Sequence, residues 1–138
     1  MIYLGLDYGG SRVGVAVGDD QMRFASPHGF FIHKGWGPDT RQVQTLMAET
    51  GAGAVVLGMP LNMDESQGKQ AGETRGFGRR LEAAGIRVIY QDERFTSLEA
   101  ETFLREAGYD SRKIKEKVDQ AAACMILQRY LDSLGYNK

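Results

Sequence analysis

The sequence predicts an α/β fold in which a mixed five-stranded sheet carries helices on both faces. Residues 2–6 form a continuous apolar run, and residues 12–17 alternate with the period of a strand. Two further apolar runs, at 54–57 and 86–91, each follow a segment of helical periodicity. A hairpin-linked meander that leads into two helix-linked crossovers gives three antiparallel strands plus two parallel strands.

The elements follow in the order strand, strand, strand, helix, strand, helix, strand, helix, helix. A glycine turn at 7–11 joins the first two strands, and the third lies within 24–32, where Pro27 and Gly29 blur its limits. The first helix begins at Pro38-Asp39 and ends at Gly51 or Gly53.

The second half alternates helices with short strands. Residues 58–68 contain turn residues without a period and predict a loop that covers a substrate or serves as a connector. A helix from about 69 to 84 follows. Thr96 and Glu99 have the spacing of a capping box, which predicts a helix to about 107. The last helix covers about 115–134, with its start at Asp110 or Ser111 as an alternative.

Length and composition limit the function classes. The 138 residues suit one domain, 1–138, with 42% hydrophobic and 25% charged residues and a net charge of −1. Cys124 is the single cysteine and there are two histidines, so a metal site has to use carboxylate oxygens. The N-terminus lacks the pattern of a signal peptide and no run of about 20 apolar residues occurs, so a cytoplasmic location without membrane contact is expected.

Acidic residues stand at three informative places. Asp7 ends the first apolar run, and Asp92-Glu93 ends the run at 86–91, at the sheet edge where ligands collect in α/β folds. Consecutive strand residues point to opposite faces, so only one of Asp92 and Glu93 can face Asp7. Each acid also has a structural interpretation: Asp7 could cap its glycine turn, and Asp92 could cap the following one.

Asp119 interrupts an apolar helix face. Ala122, Ala123, Ile126 and Tyr130 fall within a narrow arc around it. A first-turn acid that complements the helix dipole works equally well from a solvated face, so its position favours a functional role. The small side chains of Ala122 and Ala123 would let this helix approach the sheet closely.

Three converging carboxylates imply a bound cation, because without one each would raise the pKa values of the others. Mg²⁺ or Mn²⁺ suits a site made of oxygen ligands. Two such ions can activate a water and stabilise the leaving oxygen of a phosphodiester. The sequence therefore predicts metal-dependent phosphodiester hydrolysis.

Basic residues near the acids predict substrate contacts. Arg12 follows the first turn, Arg94 follows the acidic pair, and three lysines precede Asp119: Lys113, Lys115 and Lys117. Arginine holds phosphate bidentately, so these residues are candidates for binding nucleic acid. The alternative for the lysine run is a solvated helix face.

Other chemistries fit poorly. Gly68-Lys69 lacks the spacing of a phosphate-binding P-loop. Cys124 lies in an apolar stretch and is predicted to be a core residue.

Four blocks of the sequence together resemble the YqgF, or RuvX, family. They are residues 4–16, 58–64, 92–97 and 119–128, so the resemblance runs nearly end to end. It implies a ribonuclease H-like fold and a nuclease that matures the 5′ end of pre-16S ribosomal RNA during ribosome biogenesis. It also implies that Asp7, Glu93 and Asp119 are the catalytic and metal-binding acids. Ser11 and Phe95 depart from the family pattern, which more often has lysine and leucine there.

Three alternatives remain beside an RNA endonuclease. A Holliday junction resolvase would share the chemistry, act on four-way DNA junctions and be expected to work as a homodimer. A non-catalytic RNA-binding factor would attach to pre-ribosomal particles. An actin-type ATP-binding domain also uses an aspartate followed by glycines, but 138 residues are too few for its two lobes.

Overall fold

The computed structural model describes residues 1–60, 68–93 and 97–134, with the backbone alone at 97–100, 115, 116 and 119. The strands are β1 Ile2–Asp7, β2 Arg12–Asp19, β3 Ala25–Ile32, β4 Ala52–Pro60 and β5 Val88–Glu93. The helices are α1 Trp36–Thr50, α2 Gly68–Ala83, α3 Ser97–Glu106 and α4 Ser111–Ser133. In these residues the sheet order is β3-β2-β1-β4-β5.

The predicted mixed sheet is confirmed. β1 pairs with β2 and β2 with β3 in antiparallel fashion, whereas β4 runs parallel to both β1 and β5. The parallel pairs place the carboxyl ends of β1, β4 and β5 at one edge of the sheet.

Alternating strand residues build a core on each face of the sheet. On one face, Leu4, Leu6 and Tyr8 belong to a buried cluster that also contains Val43 of α1 and Phe77 of α2. On the other face, a second cluster joins the sheet to α4 and includes Tyr3, Ala16, Val56, Ile126 and Leu127. The described helices therefore cover both faces, as predicted.

α4 lies unusually close to the sheet because β1 has a glycine beneath it. A Cβ atom on Gly5 would lie 2.7 Å from Cβ of Leu127 and 2.9 Å from the carbonyl oxygen of Ala123. Two glutamines of α4 also hold β3. Gln120 Oε1 accepts a hydrogen bond from the Gly29 N–H at 3.1 Å, and Gln128 Oε1 accepts one from the Ala25 N–H at 2.9 Å.

Some predicted boundaries were wrong. Residues 58–60 belong to β4 rather than to a loop, because they pair with Gln91, Asp92 and Glu93 of β5. β5 starts at Val88 and ends at Glu93, instead of covering 86–91. The ends of β4 and β5 are decided by the pairing between these two strands, which are distant in the sequence. Local turn propensity does not reveal this pairing. α1 starts at Trp36, two residues before the predicted Pro38.

The N-terminus of α4 follows the alternative that began at Asp110. The Asp110 carboxylate accepts a hydrogen bond from the Lys113 N–H at 3.0 Å, which is an N-cap. The predicted cap at Thr96 and most of the predicted loop, residues 61–67, lie outside the described residues.

Cys124 is a core residue, as predicted. Its side chain is fully buried, and burial raises the pKa of its thiol to about 12. In the part of the chain that the structure describes, no helix is long and apolar enough to cross a membrane.

Candidate active site

Asp7 and Glu93 meet at the carboxyl edge of the parallel strands. Asp7 is the last residue of β1 and Glu93 the last residue of β5, with β4 between them. Their carboxyl groups interact directly, and the hydrogen bond between them favours the protonated form of Glu93. The fold thus joins two acids that are far apart in the sequence.

The environment of Glu93 disfavours its charged form. Burial is the main cause, and the neighbouring Asp7 carboxylate and the hydrogen bond to it act in the same direction. Together they raise the pKa of Glu93 from 4.5 to about 8, although the positive charge of Arg129 opposes the shift. A divalent cation between the two carboxylates would remove this repulsion.

Gly58 of β4 makes room for this pair. A Cβ atom at Gly58 would collide with Cδ1 of Ile126 and would lie 3.1 Å from Oε2 of Glu93. The glycine therefore lets both α4 and the Glu93 carboxylate approach the middle strand of the edge.

The structure shows that Glu93, and not Asp92, faces Asp7. Val88 packs in the cluster beneath α1 and α2, and Asp92, four residues later in the same strand, points to that same side. Ile89 packs on the α4 side, and Glu93 points there with it. Asp7 shares the α4 side with Gly5, whose neighbour is Leu127 of α4.

Asp119 belongs to α4, and its side chain lies outside the described residues. The next residue, Gln120, accepts a hydrogen bond from Gly29 of β3. Phe30, which follows Gly29, pairs with Gly14 of β2, and Gly14 pairs with Asp7 of β1. The backbone at position 119 therefore lies toward the Asp7 end of the sheet. Ala122, Ala123 and Ile126, which share its helical face, are buried as predicted.

Oxygen ligands for Mg²⁺ or Mn²⁺ are present in the Asp7–Glu93 pair. Two neighbouring acids in a half-buried position, one of which favours its protonated form, are suited to hold a cation, because the cation can replace that proton. Among the described side chains, which do not include the one at 119, no group of three or more His, Cys, Asp or Glu is placed to hold a metal ion. Asp119 as third ligand stays a prediction.

A buried polar network next to Asp7 was not predicted. The hydroxyl of Tyr8 donates a hydrogen bond to Oδ2 of Asp39 at 3.0 Å, and Nδ1 of His33 lies 2.6 Å from the same oxygen. The Lys34 N–H donates to Oδ1 at 2.9 Å. The Tyr8 ring stacks on Phe77, with 4.0 Å between ring centroids. This network ties Tyr8, the residue after Asp7, to the start of α1. One sign of it was visible in the sequence, which was that Asp39 is an acid in the first turn of a helix.

Of the predicted substrate contacts, Arg12 lies on the same face as Asp7. Its guanidinium lies 4.6 Å from the centroid of the Phe30 ring, and Phe30 is 41% exposed. Gly14 separates Phe30 from Asp7 across the sheet, so the two Cα atoms are about 10 Å apart. The exposed Phe30 was not recognised from the sequence, where it reads as an ordinary strand residue.

The predicted lysines have different surroundings. Lys113 is exposed in the first turn of α4, and the Lys117 ammonium lies 5.3 Å from the centroid of the Tyr109 ring. Arg94 lies outside the described residues, as does the side chain of Lys115.

The sheet order, with helix α4 on one face and α1 and α2 on the other, defines a domain of the ribonuclease H-like class. Solved structures agree with this fold. A Fowlpox virus resolvase bound to Holliday junction DNA superposes with a TM-score of 0.61 at 16% identity, covering 98% of this chain and 99% of that one. RuvC of T. thermophilus with a Holliday junction substrate gives a TM-score of 0.56 at 16% identity, covering 98% and 96%.

The chain belongs to the RuvX family. The family model, described as "Holliday junction resolvase", matches residues 1–133. Proteins from Anaeromyxobacter sp. (strain Fw109-5) and Syntrophomonas wolfei are 41% and 42% identical to it. The matches cover 96% and 98% of this chain and 97% and 98% of those proteins, and both carry the name "Putative pre-16S rRNA nuclease". The predicted family and the nuclease class are confirmed.

Proposed function

We propose that this protein is a divalent-metal-dependent endonuclease that processes the 5′ end of pre-16S rRNA in the cytoplasm. One observation carries the proposal: Asp7 and Glu93 form a half-buried acid pair at the carboxyl edge of β1 and β5. A bound cation would stabilise the two negative charges of this pair beyond what the single positive charge of Arg129 supplies. The RNA substrate rests on the names of relatives at 41–42% identity.

The proposed site contains Asp7, Glu93 and Asp119 as ligands of Mg²⁺ or Mn²⁺. When bound, the metal supplies charge neutralisation at the scissile phosphate and activation of water. The residues of the chain would position these ligands. β1 and β5 hold the two carboxylates in position, and α4 packs closely on Gly5 and Gly58 beside them.

Substrate binding is assigned to the basic residues around this edge. Arg12, stacked on Phe30, lies on the face that Asp7 occupies and can bind a phosphate of the same strand. Arg94, Lys113, Lys115 and Lys117 are proposed to contact neighbouring phosphates. With a net charge of −1, the chain depends on such local groups rather than on overall attraction.

A second candidate function is the resolution of four-way DNA junctions, and the description of the family supports it. It requires a homodimer, because two strands must be cut symmetrically. The RNA substrate is favoured because relatives of far higher identity carry the rRNA name, whereas the resolvases of known structure are 16% identical.

The deciding experiment gives the wild-type protein, Asp7→Asn and Asp20→Asn a labelled 16S precursor leader and a four-way DNA junction, with Mg²⁺ or Mn²⁺. Asp20 is a matched control, because its carboxylate bonds to the N-terminal amine at the opposite end of the sheet. We expect cleavage of the RNA by the wild type and by Asp20→Asn, and a loss of about a hundredfold or more in Asp7→Asn.

The other results identify the alternatives. Preferential cutting of the junction would assign the resolvase function, with dimerisation checked by sedimentation. Equal cutting by the wild type and Asp7→Asn would refute the site. If all three proteins bind the precursor or pre-ribosomal particles without cutting, the chain is a non-catalytic assembly factor.

A further inference from the structure

A second concave site lies on the face of the sheet opposite to Glu93. It has a volume of about 440 Å³ between α2 and the ends of β4 and β5, and its lining includes Arg75, Arg79, Glu82, Tyr90 and Asp92. This volume is within the range of small-ligand pockets. None of these residues belongs to the candidate active site.

Tyr90 forms an aromatic wall of this pocket. Its ring lies against Gly78 of α2, where a Cβ atom would be 2.8 Å from the ring carbon Cζ. Its hydroxyl donates a hydrogen bond to Glu82 Oε1 at 3.4 Å, which orients the ring. The side chain is still 40% exposed, so one part of it is available for stacking.

Arg75 and Arg79 supply positive charge one helical turn apart. Residues four apart lie on the same face of a helix, so both guanidinium groups reach the same pocket. Both are exposed, and neither forms a hydrogen bond or ion pair with the residues that the structure describes. Paired guanidinium groups beside an aromatic ring suit a phosphate attached to a base.

The carboxylates of the pocket add a preference among bases. Glu82 Oε1 accepts a hydrogen bond from Tyr90, and Oδ1 of Asp92 is buried. A carboxylate has two oxygens with about four acceptor sites, so the second oxygen of each can bind a ligand in addition to a protein group. Guanine is the base that presents two adjacent N–H donors, N1–H and the N2 amino group, on its Watson–Crick edge. A carboxylate that faces a stacked base therefore favours guanine.

The pocket and the Asp7–Glu93 pair are linked by two consecutive residues of β5. Asp92 lines the pocket, and Glu93, the next residue of β5, points to the other face. A single strand that crosses the carboxyl edge of β4 and β5 can place one phosphate at Glu93 and a neighbouring nucleotide beside Asp92.

We propose that this pocket binds one unpaired nucleotide of the substrate RNA, preferentially guanosine, next to the scissile phosphate. The base stacks on Tyr90 and donates hydrogen bonds to Asp92, while Arg75 and Arg79 bind the flanking phosphates. This inference rests on the proposed function, since it takes single-stranded RNA as the ligand. It adds a specificity determinant to the site.

Binding can be tested without cleavage by introducing each change into the full-length Asp7→Asn protein. The probes are a short fluorescent uridine tract and the same tract with one central guanosine, and anisotropy is measured at several salt concentrations. Arg75→Ala and Arg79→Ala should each weaken binding and reduce the salt slope by about one. Arg80→Ala is the matched control, because Arg80 is an exposed arginine of α2 outside the pocket lining.

Three further variants separate stacking from base recognition. Tyr90→Ala should weaken binding of both probes at least about fivefold, whereas Tyr90→Phe keeps the ring and should retain binding. Asp92→Asn should remove the preference for the guanosine probe. Circular dichroism checks that each variant is folded, and the exposed arginine variants test the pocket independently of Tyr90.

The proposal is overturned if Arg75→Ala and Arg79→Ala behave like Arg80→Ala, or if the guanosine probe binds no better than the uridine tract. Its failure is distinguishable from failure of the nuclease assignment. Loss of the pocket effects leaves the Asp7-dependent cleavage intact, and absence of cleavage leaves the binding differences measurable.

Discussion

The carboxyl group of Glu93 hydrogen-bonds to that of Asp7 although 85 other residues separate them in the chain. β1 and β5 do not pair with each other, and the glycine at position 58 of β4 leaves the space in which the two side chains meet. The main prerequisite of the site is therefore a strand order that brings three parallel strand ends to one edge. Because the two carboxyl groups meet, the pKa of Glu93 is raised, and Glu93 keeps a proton that a glutamate ordinarily loses.

The metal-free protein should lose stability as the pH rises. The pKa of Glu93 is about 8 when folded and 4.5 as an isolated group, so the folded state binds a proton that the unfolded state releases in this range. This contribution is fully present below about pH 4.5 and is lost as the pH rises through about 8. Urea unfolding in EDTA should show the decline in wild type and in Glu106→Gln, and a flatter curve in Glu93→Gln. If the free energy of unfolding fell equally with pH in all three proteins, Glu93 would not be the group responsible.

Metal should reverse that loss. A ligand present at about 100 times its Kd stabilises a protein by about 2.7 kcal/mol, and Mn²⁺ should do this to the wild type at neutral pH. Asp7→Asn should gain much less, because one negative ligand is missing, whereas Asp20→Asn should respond like wild type. Thermal unfolding with increasing Mn²⁺ measures the effect, and equal shifts in all three proteins would place the metal elsewhere.

Gly58→Ala should impair both stability and cleavage. The new Cβ would overlap Cδ1 of Ile126 and press on Oε2 of Glu93, and overpacking of this kind costs about 1–3 kcal/mol. Gly72→Ala is the control, because no atom of the residues that the structure describes lies within 4 Å of a Cβ there, and alanine favours the helix. Urea unfolding and the cleavage assay should separate the two variants, and identical behaviour would show that Gly58 is not needed for close packing.

Phe30→Ala should weaken binding of single-stranded RNA by about fivefold or more, because it removes an exposed ring next to Arg12 on the face of Asp7. Phe24→Ala is the comparison, since Phe24 is 67% exposed and lies at the other end of β3. Anisotropy measurements on the Asp7→Asn protein test this. Equal loss in both variants would indicate general apolar binding rather than a defined contact.

Tyr8→Phe should destabilise the fold by about 1 kcal/mol, because it removes a buried hydrogen bond to Asp39. Burial, followed by that bond, raises the pKa of Tyr8 above its ordinary value, so the phenol stays protonated and donating at neutral pH. Tyr109→Phe serves as control, because its side chain has no hydrogen bond to a described residue. Chemical unfolding measures both, and an unchanged Tyr8→Phe protein would mean that His33 and Lys34 suffice to hold Asp39.

Local pattern was sufficient for much of the fold. The alternation at 12–17, the glycine turn after Asp7 and the helical faces each arise from interactions close in sequence, and they were recovered in the structure. The end of β4 was not, because residues 58–60 are held by pairing with β5 rather than by their own propensity. For the same reason Phe30 and the Tyr8–Asp39 network were missed, since contacts between distant segments define them.

By itself, the sequence determined the order of the elements, the acids at the strand ends and the apolar helix face around Asp119, because strand and helix periodicities are properties of neighbouring residues. Between Asp92 and Glu93 it could choose only by resemblance to a family. The tertiary structure decided which of the two faces Asp7, because the register of β5 against β4 directs Asp92 toward α2 and Glu93 toward Asp7. The pocket beside Asp92 likewise exists only once α2 packs on that face of the sheet.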